Sequence, residues 1–119
     1  MLTDNDRMMQ AERECVECIK KLEGMVSAVA MARQIVGLRD DRIKKSLSVL
    51  VAEYIRKGGS ATGAEWNARA DERFTQMASD ILDQTAEAAS ILLKWDIERL
   101  KFENAQALRN DERAKLKML

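Results

Sequence analysis

Proline and histidine are both absent from this sequence, and each absence removes a class of answers. Without proline, no helix has to break for want of a backbone donor. Without histidine there is no imidazole to serve as general base, complete a nucleophilic triad or bind zinc. Only two cysteines occur, Cys15 and Cys18, which is no disulfide framework. The formal net charge is zero, with 20 basic and 20 acidic residues, so any affinity for nucleic acid must come from local clustering. No apolar run approaches the ~18 to 20 residues of a membrane span. Met1 to Asp6 has no basic stretch ahead of an apolar core, so no secretory signal is expected. The expected setting is the cytoplasm, away from membranes.

What remains is rich in Ala, Leu, Glu, Lys, Arg and Met, all strong helix formers, which predicts an all-α class. Three of the five glycines fall within Arg56–Gly63. Gly58 suits the left-handed residue that closes a helix, and Arg56 and Lys57 suit its negative end. Thr62 and Glu65 have the T-x-x-E spacing of a capping box that starts a new helix. The expected layout is a single domain over 1–119: a helix over 4–57, a turn over 58–63 and a helix over 64–116. Thr3 is positioned to cap the first helix.

A seven-residue repeat runs through Met8, Cys15, Leu22, Val29, Val36, Ile43 and Leu50. Its companion series is ambiguous between neighbours: Cys18 or Ile19, Met25 or Val26, then Ala32, Leu47 and Tyr54. Gly24 and Gly37 are candidate kinks, yet the repeat keeps phase across both. In the second half the repeat reads Phe74, Ile81, Ala88, Trp95 and Phe102, and past Leu108 it is expected to fade and fray. The two halves predict a long, coiled-coil-like antiparallel hairpin. Leu92, Leu93, Trp95 and Leu100 cannot all face one partner helix, so a homo-oligomer, with a ring among its forms, is expected to cover the excess.

Candidate chemistry is sparse, and no cofactor, metal or catalytic residue is expected. Cys15-x-x-Cys18 lies inside a helix with no strand before it, which reads as two small core residues and not as a redox pair or half a zinc site. Glu14-x-x-Glu17 and Asp80-x-x-Asp83 resemble the paired acidic motifs of all-α nucleotide pyrophosphatases. More than sixty residues separate the pairs here, where that family has one helix-turn-helix. Asp80, Asp83 and Glu87 share a face, as a solvated helix also would.

The basic residues near the turn are Arg42, Lys44, Lys45, Arg56, Lys57, Arg69 and Arg73, with Tyr54 and Trp66 among them. Cations neutralise phosphate and aromatic plates stack bases, as single-stranded nucleic acid requires. Against this, Asp40 with Lys44, Asp41 with Lys45 and Glu65 with Arg69 are helical i, i+4 pairs.

An A-E-Y-I-R-K-G-G helix end at Ala52–Gly59, a short turn, and a longer helix closing on R-x-x-x-R-A-K-L-K at Arg109–Lys117 resemble bacteriophage recombination mediators of the UvsY-like type. The resemblance covers roughly Leu38 to Leu116. It implies a helical, ring-forming, non-catalytic protein in the bacterial host cytoplasm. Such a protein loads a recombinase onto single-stranded DNA coated by a single-strand binding protein. Lys44 and Lys45 stand where the family has a basic pair, and Tyr54 near its tyrosines. Leu50, Val51 and Ala52 are apolar where the family is basic, so Arg56, Lys57, Arg69 and Arg73 would supply the charge, with Tyr54 or Trp66 stacking. Met1 to Gly37 has no counterpart there. The alternative is a protein-interaction module without nucleic acid: a phage structural or scaffold protein, a nuclease inhibitor or a secreted helical hairpin. Gly63 precedes Trp66, so the turn lacks the W-x-G of one such secreted type.

Overall fold

The computed structural model describes residues 2–118. They form α1 (Asp4–Gly37), α2 (Arg39–Arg56), α3 (Ala61–Ala70) and α4 (Glu72–Lys117). The class is all-α, with no helix long and apolar enough to cross a membrane among the described residues. The helices expected over 4–57 and 64–116 are each interrupted once. Gly24 leaves α1 whole. After Gly37, Leu38 takes φ −96°, ψ 1°, in the sparsely populated bridge region. Its N–H still donates to the Gln34 carbonyl and its own carbonyl accepts from Arg42 N–H, both at 2.9 Å. Helix therefore resumes after one irregular residue.

Each start and stop has a chemical cause. At α1 the Asp6 N–H donates to Thr3 Oγ1 and the Thr3 N–H to Asp6 Oδ2, a reciprocal cap at 3.1 Å each way. At the end of α2, Gly58 has φ +97°. Its N–H donates to the Ile55 carbonyl at 2.9 Å and the Gly59 N–H to the Tyr54 carbonyl at 3.3 Å. This is the Schellman pattern, which satisfies carbonyls that the ending helix leaves open. The next cap is Ser60, not Thr62. The Ser60 hydroxyl accepts from the Gly63 N–H at 3.1 Å, so α3 starts three residues before the expected helix.

The chain groups into two compact units. One combines the segment up to Ala30 with the segment from Ile91. Within it Glu12 pairs with Arg113 at 3.1 Å, while Cys18 and Lys21 share a groove with Lys101, Asn104 and Ala105. One segment advances as the other retreats, so they run antiparallel. The second unit is Met31–Ser90. There the Arg42 guanidinium donates to the Gln84 side chain at 2.7 Å and Arg73 to Glu53 at 3.0 Å, again antiparallel. α3 packs against α2. Each unit is thus, by itself, an antiparallel helical pairing.

The seven-residue repeat is the covered face. Met8, Cys15, Leu22, Val29, Ile43 and Leu50 are buried or half-buried, and Val36, beside the irregular Leu38, is the exposed exception. Of the ambiguous neighbours, Cys18 and Met25 are half-buried while Ile19 and Val26 are exposed. In α4 the repeat does not fade. Helix continues to Lys117, and half-buried Arg109, Glu112 and Leu116 extend the seam. There Arg109 and Glu112 bury polar atoms as well, Nε and Oε2, to which no hydrogen-bond partner is assigned among the described residues.

Six of the ten buried apolar residues are alanine: Ala11, Ala32, Ala64, Ala68, Ala88 and Ala105. Small residues let backbones approach closely, which leaves no room for growth. Ala64 and Ala68, both at 0% exposure, seat α3. Replacing Ala68→Leu is expected to destabilise the fold by about 1–3 kcal/mol, read as a lower urea midpoint; an unchanged midpoint contradicts this seating.

Candidate functional site

The residues singled out by charge gather near the bend, all within the unit Met31–Ser90. Its centre is a residue that the charge pattern does not single out. Asp71 separates α3 from α4 with extended backbone, φ −71°, ψ 131°. Its Oδ1 accepts the Arg73 N–H at 2.8 Å and its carbonyl accepts the Phe74 N–H at 3.0 Å, so it caps α4. The Tyr54 hydroxyl donates to Asp71 Oδ2 at 2.8 Å. The Arg73 guanidinium reaches both Asp71 oxygens, at 3.2 and 2.9 Å, and both Glu53 oxygens, at 3.2 and 3.0 Å. Lys57 Nζ lies 3.4 Å from Glu53 and 5.5 Å from the centre of the Tyr54 ring.

Five side chains from α2, its C-cap, α4 and the break before α4 therefore make one charged cluster. The Arg73 guanidinium, then the Tyr54 hydroxyl, hold the Asp71 carboxyl well below the usual carboxylate range. Arg73 likewise lowers Glu53. Asp71 and then Glu53 hold the Arg73 proton more tightly than usual, and Asp71 raises the Tyr54 phenol. All four shifts lead away from neutral pH. The cluster joins α2 to the start of α4 through Tyr54–Asp71 and Arg73–Glu53.

The other residues sit apart from it. Trp66 is 74% exposed and lines a shallow hollow on α3 with Thr62, Glu65 and Arg69. Arg69 is bound to Glu65 at 3.0 Å. Lys44, Lys45 and Arg56 are exposed on α2, with Lys45 in a groove that also contains Arg42 and Asp80. Of the six cations expected to meet nucleic acid, Lys57, Arg69 and Arg73 are thus engaged by Glu53, Glu65 and Asp71. Tyr54 is half-buried with its hydroxyl committed.

In the other unit, Leu93 and Leu100 are open to solvent, whereas Leu92 and Trp95 are half-buried. Cys15 is buried and Cys18 half-buried, both as thiols on the covered seam of α1. Glu14, Glu17, Asp80, Asp83 and Glu87 are exposed, and Asp80 accepts a hydrogen bond from Gln76 at 2.9 Å. Among the described residues, no three His, Cys, Asp or Glu side chains converge as a metal site.

Sequence reasoning missed Asp71 and Glu53. The order Asp71-Glu72-Arg73 ahead of an apolar repeat is a capping signal that could have located the first. Glu53 has no comparable signal, because its partner Arg73 is 20 residues away.

Comparison with protein-family models, with curated proteins and with solved structures returned no match.

The lowered carboxyls of Asp71 and Glu53 set the sign of a pH dependence. A group whose pKa falls on folding stabilises fully above its unfolded value and loses that contribution as pH drops through the folded one. Stability is expected to decline below about pH 4. Asp71→Asn is expected to lower the melting temperature at neutral pH and to reduce this acid decline. Thermal melts across the acid range check it, and an equally steep decline in the variant contradicts it.

Proposed function

We propose that this chain is a non-catalytic helical interaction module that works as a homo-oligomer. One observation carries the reading: α4 has a covered apolar seam and, away from it, further apolar side chains left open. Leu93, Ile97, Leu100 and Leu108 are 61%, 44%, 60% and 54% exposed, while Ala105 between them is 5% exposed. α1 adds Met9, Val16, Ile19 and Val26, also exposed. Apolar surface repeated at helical spacing is what another helix covers. Light scattering over a micromolar range is expected to give a mass above that of one chain. A monomer throughout contradicts the reading.

A second reading is favoured by Trp66. A tryptophan so exposed on a short helix, beside Arg69, offers a plate on which a base can stack. Lys44, Lys45 and Arg56 are the nearby α2 cations to which neither an ion pair nor a side-chain hydrogen bond is assigned among the described residues. On this reading the oligomer is a recombination mediator of the phage type. It binds single-stranded DNA weakly at each copy and strongly through many, with a recombinase and a single-strand binding protein as its protein partners. Supporting it are the layout of residues 38–116 and these exposed groups. Against it stand the acids that already neutralise Lys57, Arg69 and Arg73. Binding of a labelled oligonucleotide at low salt, lost at high salt and reduced by Trp66→Ala, is the expected outcome. Absence of binding at low salt removes this second reading.

A further inference from the structure

The open run on α4 has an internal order that goes beyond apolarity. In the unit formed with the start of the chain, Trp95, Glu98, Phe102, Ala105 and Arg109 are the buried or half-buried seam. Leu93, Ile97, Leu100, Asn104 and Ala107 each stand two positions from a member of that seam. At 3.6 residues per turn this is about 200° around the helix, on its opposite side. They recur in alternating steps of four and three. In a heptad written a to g, Leu93, Leu100 and Ala107 take d, and Ile97 and Asn104 take a.

The flanking charges are sorted by sign. Lys94 and Lys101 occupy e positions, and Asp96 and Glu103 occupy g. All four are exposed. Within the chain, Arg99 lies 3.9 Å from both Asp96 and Glu103, and Lys101 Nζ donates to Glu98 Oε1 at 3.3 Å. Such surface pairs constrain little.

We propose that α4 pairs with the α4 of a second copy, parallel and in register, through Leu93, Ile97, Leu100 and Asn104. This rests on the oligomeric reading above and adds the face, the direction and the register. In a parallel pair a g residue meets the following e residue of the other helix, so Asp96 faces Lys101 of the second copy, twice by symmetry. In an antiparallel pair e meets e and g meets g. Lysine would then face lysine and acid would face acid. The charge order selects the parallel arrangement. Isoleucine at a with leucine at d favours two strands, and a single asparagine at a is satisfied against its own copy only in the matching register. Asn104 therefore specifies alignment at some cost in stability.

Sedimentation of the full chain tests this with two variants, Asp96→Lys and the double variant Asp96→Lys/Lys101→Asp. Circular dichroism verifies that each stays helical, as exposed positions should. The single change turns two cross-helix attractions into two repulsions and is expected to weaken self-association about tenfold or more. The double change reverses both signs and is expected to restore it. In the antiparallel arrangement Asp96 faces Asp96 or Glu103 of the second copy, so the single change exchanges one repulsion for another or relieves it and does not weaken association. Unchanged or tighter association of Asp96→Lys, or failure of the double variant to recover, overturns the parallel pairing and leaves the oligomeric reading standing. A wild-type chain that sediments as a monomer overturns both.

Discussion

A helix pressed against one neighbour can bury only one stripe of its surface. That geometric limit governs this molecule more than any single bond. The covered stripe keeps a seven-residue period from Met8 to Leu50 in α1 and α2, with Val36 exposed, and from Phe74 to Leu116 in α4. Alanine supplies most of the fully buried positions. A seam of small side chains brings helices close and buries little area for each residue. Larger side chains such as Leu50, Ile81 and Phe102 complete the seam, while Leu93, Ile97 and Leu100 fall outside it and are exposed. Apolar area removed from water is the main stabilising term in folding, so uncovered area is the natural place for a second chain.

The bend works by a different principle. The Gly58 turn is local: a left-handed residue and two backbone hydrogen bonds suffice. The break at Asp71 is tertiary. An aspartate cap alone would start a helix, but here the same carboxylate also accepts from Tyr54 on α2 and Arg73 on α4. Arg73 in turn holds Glu53 on α2. Local capping and long-range ion pairing thus use one set of atoms, and Asp71, with its side chain only 11% exposed, is where they meet. Of the cations that first suggest a ligand surface, Arg73 ties α4 to α2, while Lys57 and Arg69 pair locally with Glu53 and Glu65.

The all-α class, the hairpin and the covered seam were legible because each depends on spacing along the chain. Met8, Cys15, Leu22 and Val29 announce themselves by period alone. The choice of Cys18 over Ile19, or Met25 over Val26, was not legible, since adjacent apolar residues fit the period equally well until a partner helix picks one. The seam beyond Leu108 was missed for a related reason. Arg109 and Glu112 count as polar in a pattern, yet both are half-buried in the helix. At the bend, the glycine turn could be read and the Asp71 cluster could not, because Glu53 and Arg73 become neighbours only after the chain folds back. The apolar excess of α4 was visible as a quantity. Its division into inward Leu92 and Trp95 and outward Leu93 and Leu100 required the helix to be placed against its partner.

The central claim is that α4 uses one face within the chain and keeps the opposite face for outside contacts. Comparing Phe102→Ala with Leu100→Ala tests it most directly, by thermal melts at concentrations low enough to keep copies apart. The account predicts that Phe102→Ala lowers the melting temperature clearly while Leu100→Ala leaves it almost unchanged. Equal losses, or a larger loss at Leu100, would contradict it.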